Sequence, residues 1–258
     1  MNIIVLMRMV PDVVEELEVA PDGKALDMEF LRMVLSETDD HALEEAVLLK
    51  EHFGGTITAL AIDAPEIDDA LYAALAKGAD RAVKIVDAEP GLSARAAAAL
   101  FADAIKELGP ADLILTGAQA IDDLDGLVAP LVSHTLGMPY LGTVTQVIPD
   151  LAKRTATIIR EYPGGVRGEF DVPLPAVLGI QAAEKPPRYV PVAKVRAAMK
   201  TQKLETLSVQ TAADAGPGLV EVIEMAKPAA TGRAQMLEGE PEDIAGKLCE
   251  VLAARGLL

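Results

Sequence analysis

Gly117-Ala-Gln-Ala-Ile-Asp-Asp-Leu-Asp-Gly-Leu-Val-Ala-Pro130 is a loop of mostly small residues, set between an apolar run, Asp112-Leu-Ile-Leu-Thr116, and a helical pattern. The run reads as a buried strand. In the pattern, Leu127, Val128, Leu131, Val132 and Leu136 share one helix face, closed by Gly137 and Pro139. Strand, loop and helix start, in that order, leave backbone N–H groups at the helix N-terminus where an anion can bind. Yet the loop carries three carboxylates, Asp122, Asp123 and Asp125, where a simple phosphate cradle avoids negative charge. Two readings stand: a functional departure, or a loop that faces water.

Outward from this loop the first 140 residues repeat the same alternation. Ile3-Ile-Val-Leu-Met7 reads as the first strand, and Pro21-Asp-Gly23 marks a turn in an otherwise poorly periodic stretch from about 10 to 37. A helix over about 39–52 puts Leu43, Ala46, Val47 and Lys50 on one side, with Ser36 or Thr38 as its cap and Gly54-Gly55 as its stop. Strand 56–62, helix 66–77, strand 82–86 and helix 93–108 follow, the last with Ser93 as N-cap. Continuous apolar strands alternating with helices predict an α/β fold. Its sheet is doubly wound and mostly parallel, Rossmann-like, of the adenine-nucleotide-binding type. Ligands in such sheets sit at the carboxyl ends of the strands, here the loops after residues 7, 62, 86 and 116.

Past residue 140 the rhythm changes. Residues 143–149 and 155–162 read as an antiparallel pair around Asp150-Leu-Ala-Lys153, and Leu174-Pro-Ala-Val-Leu-Gly-Ile180 as a further strand. Residues 184–204 are Pro-rich, then basic, and a compact core does not need them. The expected division is an α/β domain over 1–204 and a C-terminal arm over 205–258. The arm ends in a helix at 241–255 that presents Ile244, Leu248, Val251 and Leu252. That helix either seeks a partner surface or packs back on its own domain.

Composition narrows the function. The 258 residues are 51% hydrophobic, which excludes disorder over the whole chain, and the net charge of −17 argues against nucleic acid and anionic membrane surfaces. The one cysteine, Cys249, and three histidines offer neither a disulfide framework nor a multi-cysteine metal site. No apolar run approaches the roughly 18 residues of a membrane-spanning helix, so the expected setting is cytoplasmic, without direct membrane insertion. No Ser-His-Asp or Cys-His arrangement points to an enzyme with its own turnover. Four Phe, four Tyr and no Trp make this chain at most part of the pocket of a large flat cofactor.

Six segments in order resemble the beta subunit of electron transfer flavoprotein. They are Ala42-Leu-Glu-Glu-Ala46 with Leu49-Lys-Glu51, Ala74-Leu-Ala-Lys-Gly-Ala-Asp-Arg81, Gln119-Ala-Ile-Asp-Asp123, Leu174-Pro-Ala-Val177, Pro187-Arg-Tyr189 and Thr231-Gly-Arg233. The resemblance implies pairing with a larger alpha subunit around an FAD held mainly by alpha. It further implies electron transfer between dehydrogenases and an acceptor oxidoreductase, and no catalysis by this chain alone. Family members commonly hold AMP in this subunit, or a second FAD where electrons bifurcate.

Carried over, the resemblance places the nucleotide at the backbone of Leu6 and Arg8, at Ser36, Thr38 and Asp39, at Ile62 and Asp63, and along residues 120–131. In that last stretch it takes in Ala120, Asp122, Asp123, Asp125, Gly126, Leu127, Val128 and Leu131. Arg8 either serves the nucleotide or caps its strand and pairs with a neighbouring Asp. Segment 184–200 matches the family's recognition loop, with Val192 as the apolar anchor and Val195 and Met199 beside it. The plain alternative is a linker whose Val residues pack locally.

Three departures mark a divergent branch. Asp125 and Leu127 replace a small hydroxyl residue and a Gln, Ser36-Glu-Thr38 replaces Asn-Pro-Phe, and Pro163 stands where an acidic residue is usual. AMP, FAD or an empty site all remain open on this reading. Competing classes are a universal-stress-like regulatory protein, an ATP-using enzyme of the pyrophosphatase group, and a scaffold subunit that has lost its nucleotide. The first two would need phosphate loops that are absent after the fourth and first strands.

Overall fold

The computed structural model describes residues 1–29, 31–88, 92–123, 126–209, 221–229, 234 and 236–258. Its centre is a nine-stranded sheet in the order β11-β5-β4-β1-β6-β10-β7-β8-β9. In chain order the strands and helices are β1 (Asn2–Met7), β2 (Met9–Pro11), β3 (Met33–Leu35), α1 (Glu37–Phe53), β4 (Thr56–Ile62), α2 (Ile67–Lys77), β5 (Arg81–Val86), α3 (Ala94–Leu108), β6 (Leu113–Gly117), α4 (Val128–Leu136), β7 (Tyr140–Asp150), β8 (Thr155–Tyr162), β9 (Val166–Pro173), β10 (Ala176–Ile180), α5 (Val192–Thr201), β11 (Glu205–Ser208) and α6 (Pro241–Ala254). Strands β11 through β7 pair in parallel, and β7, β8 and β9 continue as an antiparallel extension.

The winding follows from which face each helix buries. Ala42, Leu43, Ala46 and Val47 of α1 share one core with Ile67, Leu71 and Ala74 of α2. On the opposite face, Ala98, Phe101 and Ile105 of α3 meet Val128, Ala129 and Val132 of α4. The central strands touch both cores, Val5 one and Leu6 the other, which is why they read as continuous apolar runs. The chain runs outward from β1 through β4 to β5, then returns through α3 to β6 on the other side of β1. Strand order therefore reverses between β1 and β6, the point where open α/β sheets bind ligands.

Local signals hold in detail. Ser93 caps α3 by accepting the Ala96 N–H at 3.2 Å. Gly54 ends α1 at φ 70°, and Pro21-Asp-Gly23 turns back so that Val19 bridges Leu26. Four elements went unread. The stretch from 10 to 37 contains the small antiparallel pair β2–β3, a third antiparallel strand, β9, follows β8, and residues 192–201 form α5. Glu205–Ser208, read as the start of the arm, forms β11 on β5, so the chain leaves the sheet only beyond it.

Candidate functional site

The side chain that assembles the switch point is Asp39, in the first turn of α1 and fully buried. One carboxylate oxygen accepts the Arg8 N–H at 2.9 Å and the other the Gly117 N–H at 2.7 Å, tying the end of β1 to the end of β6. Burial pushes this carboxyl above the usual carboxylate range, while Arg8 and the two N–H groups oppose the rise. Gly117 has to be glycine, because a Cβ there would stand 2.2 Å from Thr38 Oγ1 and 2.6 Å from Asp39 Oδ1. Thr38 in turn donates to the Gln119 carbonyl at 2.9 Å. Ser36 occupies the N-cap position of α1, yet its side chain does not cap; its N–H donates to the Arg8 carbonyl at 2.9 Å.

Arg8 resolves much of the charge problem posed by the loop. Its Nη1 donates to Asp123 Oδ2 at 3.3 Å, and its Nε lies 3.7 Å from Asp39 Oδ2, buried and without a hydrogen bond of its own. Asp123 also folds back on its own loop, accepting the Gly126 N–H at 3.1 Å while its carbonyl takes the Gln119 amide at 2.8 Å. The carboxylates thus organise the loop around one guanidinium, and Asp122 is exposed beside them. Asp125 lies outside the described residues.

The remaining candidates divide. Ala120 is buried beside the cluster, and Gly126 turns the chain at φ 61° into α4. No side chain among the described residues caps α4, and its first turn holds no acid. The side chains of Leu6 and Val128 belong to the core, with Leu131 and Ile62 packed against it, which leaves only backbone groups of these residues for any ligand; Leu127 is half-buried. Asp63 is drawn to Lys84 of β5, 3.3 Å away. Val192 is 60% exposed and Met199 39%, with Val195 half-buried between them.

Sequence reasoning missed the wall of the site. A cavity of about 360 Å³ opens beside the cluster, bounded by Val10 and Pro11 of β2, Val34 and Leu35 of β3 to Ser36, Thr38 and Gln119-Ala-Ile121. Strands of three residues carry too little periodicity to announce themselves, so β2 and β3 left no readable signal. Among the described residues no group of His, Cys, Asp and Glu is arranged to hold a metal ion, and no helix is long and apolar enough to cross a membrane.

One buried acid near the site sets a pH dependence. Glu45 on α1 is 2% exposed, and burial, the dominant influence, lifts its carboxyl to about 7 against the pull of the Glu184 and Val147 N–H groups. A carboxyl raised from 4.5 to about 7 binds its proton more tightly in the folded chain. Stability is therefore full below the lower value and falls as pH climbs through that window. Glu45→Gln keeps an acceptor for the Glu184 N–H and removes the ionisation, so it should gain ~1–3 kcal/mol at pH 8 and lose most of that gain at pH 5. Thermal melts at the two pH values test this; equal shifts at both would refute it.

A doubly wound sheet with its loops gathered at the switch point defines a nucleotide-site architecture. Comparison with known proteins then narrows the class. The model of the electron transfer flavoprotein domain matches residues 27–229. The electron transfer flavoprotein subunit beta of Methylophilus methylotrophus is 30% identical over 98% of both chains. Subunit beta of Syntrophomonas wolfei is 34% identical over 89% of this chain and 87% of its own, and that of Bacillus subtilis 32% over 98% and 97%. The chain belongs to the electron transfer flavoprotein family, as a beta-type subunit.

Proposed function

We propose that this chain pairs with an alpha subunit, contributes one wall of an FAD site held mainly by alpha, and relays electrons from dehydrogenases to an acceptor oxidoreductase without turnover of its own. The observation that carries the reading is the open cavity beside the Asp39–Arg8–Asp123 cluster, apolar on the side formed by Val10, Pro11, Val34, Leu35 and Ala120. Such a wall suits the face of a flat ring, while its open side and the scarcity of aromatic residues call for a second chain. FAD, when bound, supplies the redox chemistry by taking up and releasing one or two electrons. This chain's residues shape the wall, keep water from one side and hold Arg8 in place. The arm after β11, ending in α6 with no buried residue, is the part we assign to gripping alpha. A cytoplasmic setting fits the acidic surface.

The loop over 120–131 also suits an adenine nucleotide in this subunit, AMP or a second FAD in a bifurcating system. Backbone N–H groups of Val128 and Ala129 open α4 towards a phosphate, whereas Pro130 has none to offer. One observation favours a second reading, a subunit without nucleotide here: Asp123 already engages both Arg8 and the Gly126 N–H. Co-expression with an alpha subunit of the family decides. The expected product is a yellow heterodimer that releases FAD on denaturation. AMP beside it supports the nucleotide reading of this loop, and FAD alone at one per heterodimer the other. A colourless homodimer would overturn the proposal as a whole.

A further inference from the structure

The segment that leads from β10 into α5 is held by side chains of α1. His41 Nδ1 accepts the Ala183 N–H at 3.2 Å, Glu45 Oε2 the Glu184 N–H at 3.1 Å and Glu44 Oε2 the Arg188 N–H at 3.0 Å. The Arg188 guanidinium then spans two carboxylates. Its Nε and Nη2 donate to Glu44 at 3.0 and 2.9 Å, and its Nη1 and Nη2 to Glu51 at 2.7 and 3.2 Å. Residues 183–191 form neither helix nor strand, so these N–H groups find in α1 the partners that a ladder would otherwise supply.

Two features make this a clamp rather than a surface pairing. The Glu44 side chain is 3% exposed, and a carboxylate so enclosed depends on its partner far more than a surface one does. The planar fork of Arg188 reaches both acids at once, a geometry Lys does not reproduce. Within α5 only Ala198 is buried, against the α1–α2 core, and it lies two turns beyond Val192. The first turn of α5 follows directly on the strap, ahead of that buried contact.

We infer that Glu44 and Arg188 are positioning residues for partner docking: their pair fixes where Val192 stands, and an incoming dehydrogenase meets that position ready-made. The inference rests on the docking role carried over for α5. Both are assigned their effect through the strap.

The test uses the heterodimer with its alpha subunit and a flavin dehydrogenase chosen because it reduces the wild-type heterodimer. Arg188→Ala should raise the KM for the heterodimer about tenfold with kcat changed less than twofold, and leave reduction by dithionite unchanged. Amide exchange over 183–195 should speed at least tenfold, with 176–180 as slow as before. Glu44→Gln should act in the same direction but less, since Glu51 still holds Arg188, and should raise KM no further when added to Arg188→Ala. An unchanged KM in Arg188→Ala, with Val192→Asp raising it, overturns the clamp and leaves docking intact. An unchanged KM in Val192→Asp overturns docking itself. Should Arg188→Ala not assemble, Glu44→Gln carries the test alone, and unchanged exchange over 183–195 in it refutes the clamp.

Discussion

Replacing Asp39 with Ala should lower the melting temperature of the subunit by roughly 10 °C. The carboxylate is fully buried and holds the N–H groups of Arg8 and Gly117 at 2.9 and 2.7 Å. Truncation leaves both donors without their acceptor and strips Arg8 of Asp39, leaving Asp123 as its ion-pair partner. Losing one partner of a buried charged network costs about 3–5 kcal/mol. At roughly 2–4 °C per kcal/mol for a chain of this size, the shift is large enough to read directly in a thermal melt. Asp39→Asn should fall between, since the amide oxygen keeps one N–H while its NH2 group confronts the other. A shift under 2 °C for Asp39→Ala would show that β1 and β6 do not depend on this staple.

The second large effect is expected at the far end of the strap. Val192→Asp places a charge on the residue proposed as the apolar anchor, which is 60% exposed and so tolerates the change in the free subunit. Anchors of this kind carry 2 kcal/mol or more of an interface, about a thirtyfold change in affinity. The variant should therefore be reduced by its dehydrogenase with a KM raised ~30-fold, while flavin content and melting temperature stay as in the wild type. Lys194 and Arg196 flank the anchor and should act on encounter instead. Charge reversal there would change the salt dependence of the rate more than its limiting value.

What was legible in the chain was its alternation. The buried strands of the parallel sheet are apolar throughout, and α1 to α4 each announce themselves by spacing, caps or glycine stops, so the loops after β1, β4, β5 and β6 followed as the ligand end of the sheet, while the reversal between β1 and β6 is known from the fold. Beyond the three-residue strands β2 and β3, the elements that escaped share a physical trait: they bury little. Strand β9 exposes six of its eight residues and β11 three of four, so neither alternates in a way that periodicity detects. Helix α5 buries one alanine and is otherwise solvated, which makes it read as a basic linker. The logic of the site escaped for another reason. The acids of the loop read as unfavourable because the cation that meets Asp123, Arg8, is 115 residues away in sequence. Asp39 was picked out as a ligand residue, and its hold on Gly117, 78 residues away, belongs to the folded chain alone.

Strand β11 changes what kind of object the helix proposed for docking is. Between β10 and β11 the chain passes over four strands, β6, β1, β4 and β5, with α5 on the way, and it rejoins the sheet at the edge. Moored at both ends, α5 is a bridge and not a tether. It cannot sweep a volume in search of a partner, so the ordering entropy that a free arm would lose at each encounter is spent once, during folding. On the proposed docking role, every dehydrogenase comes to the same fixed surface, and choice among them rests with the shapes the partners bring.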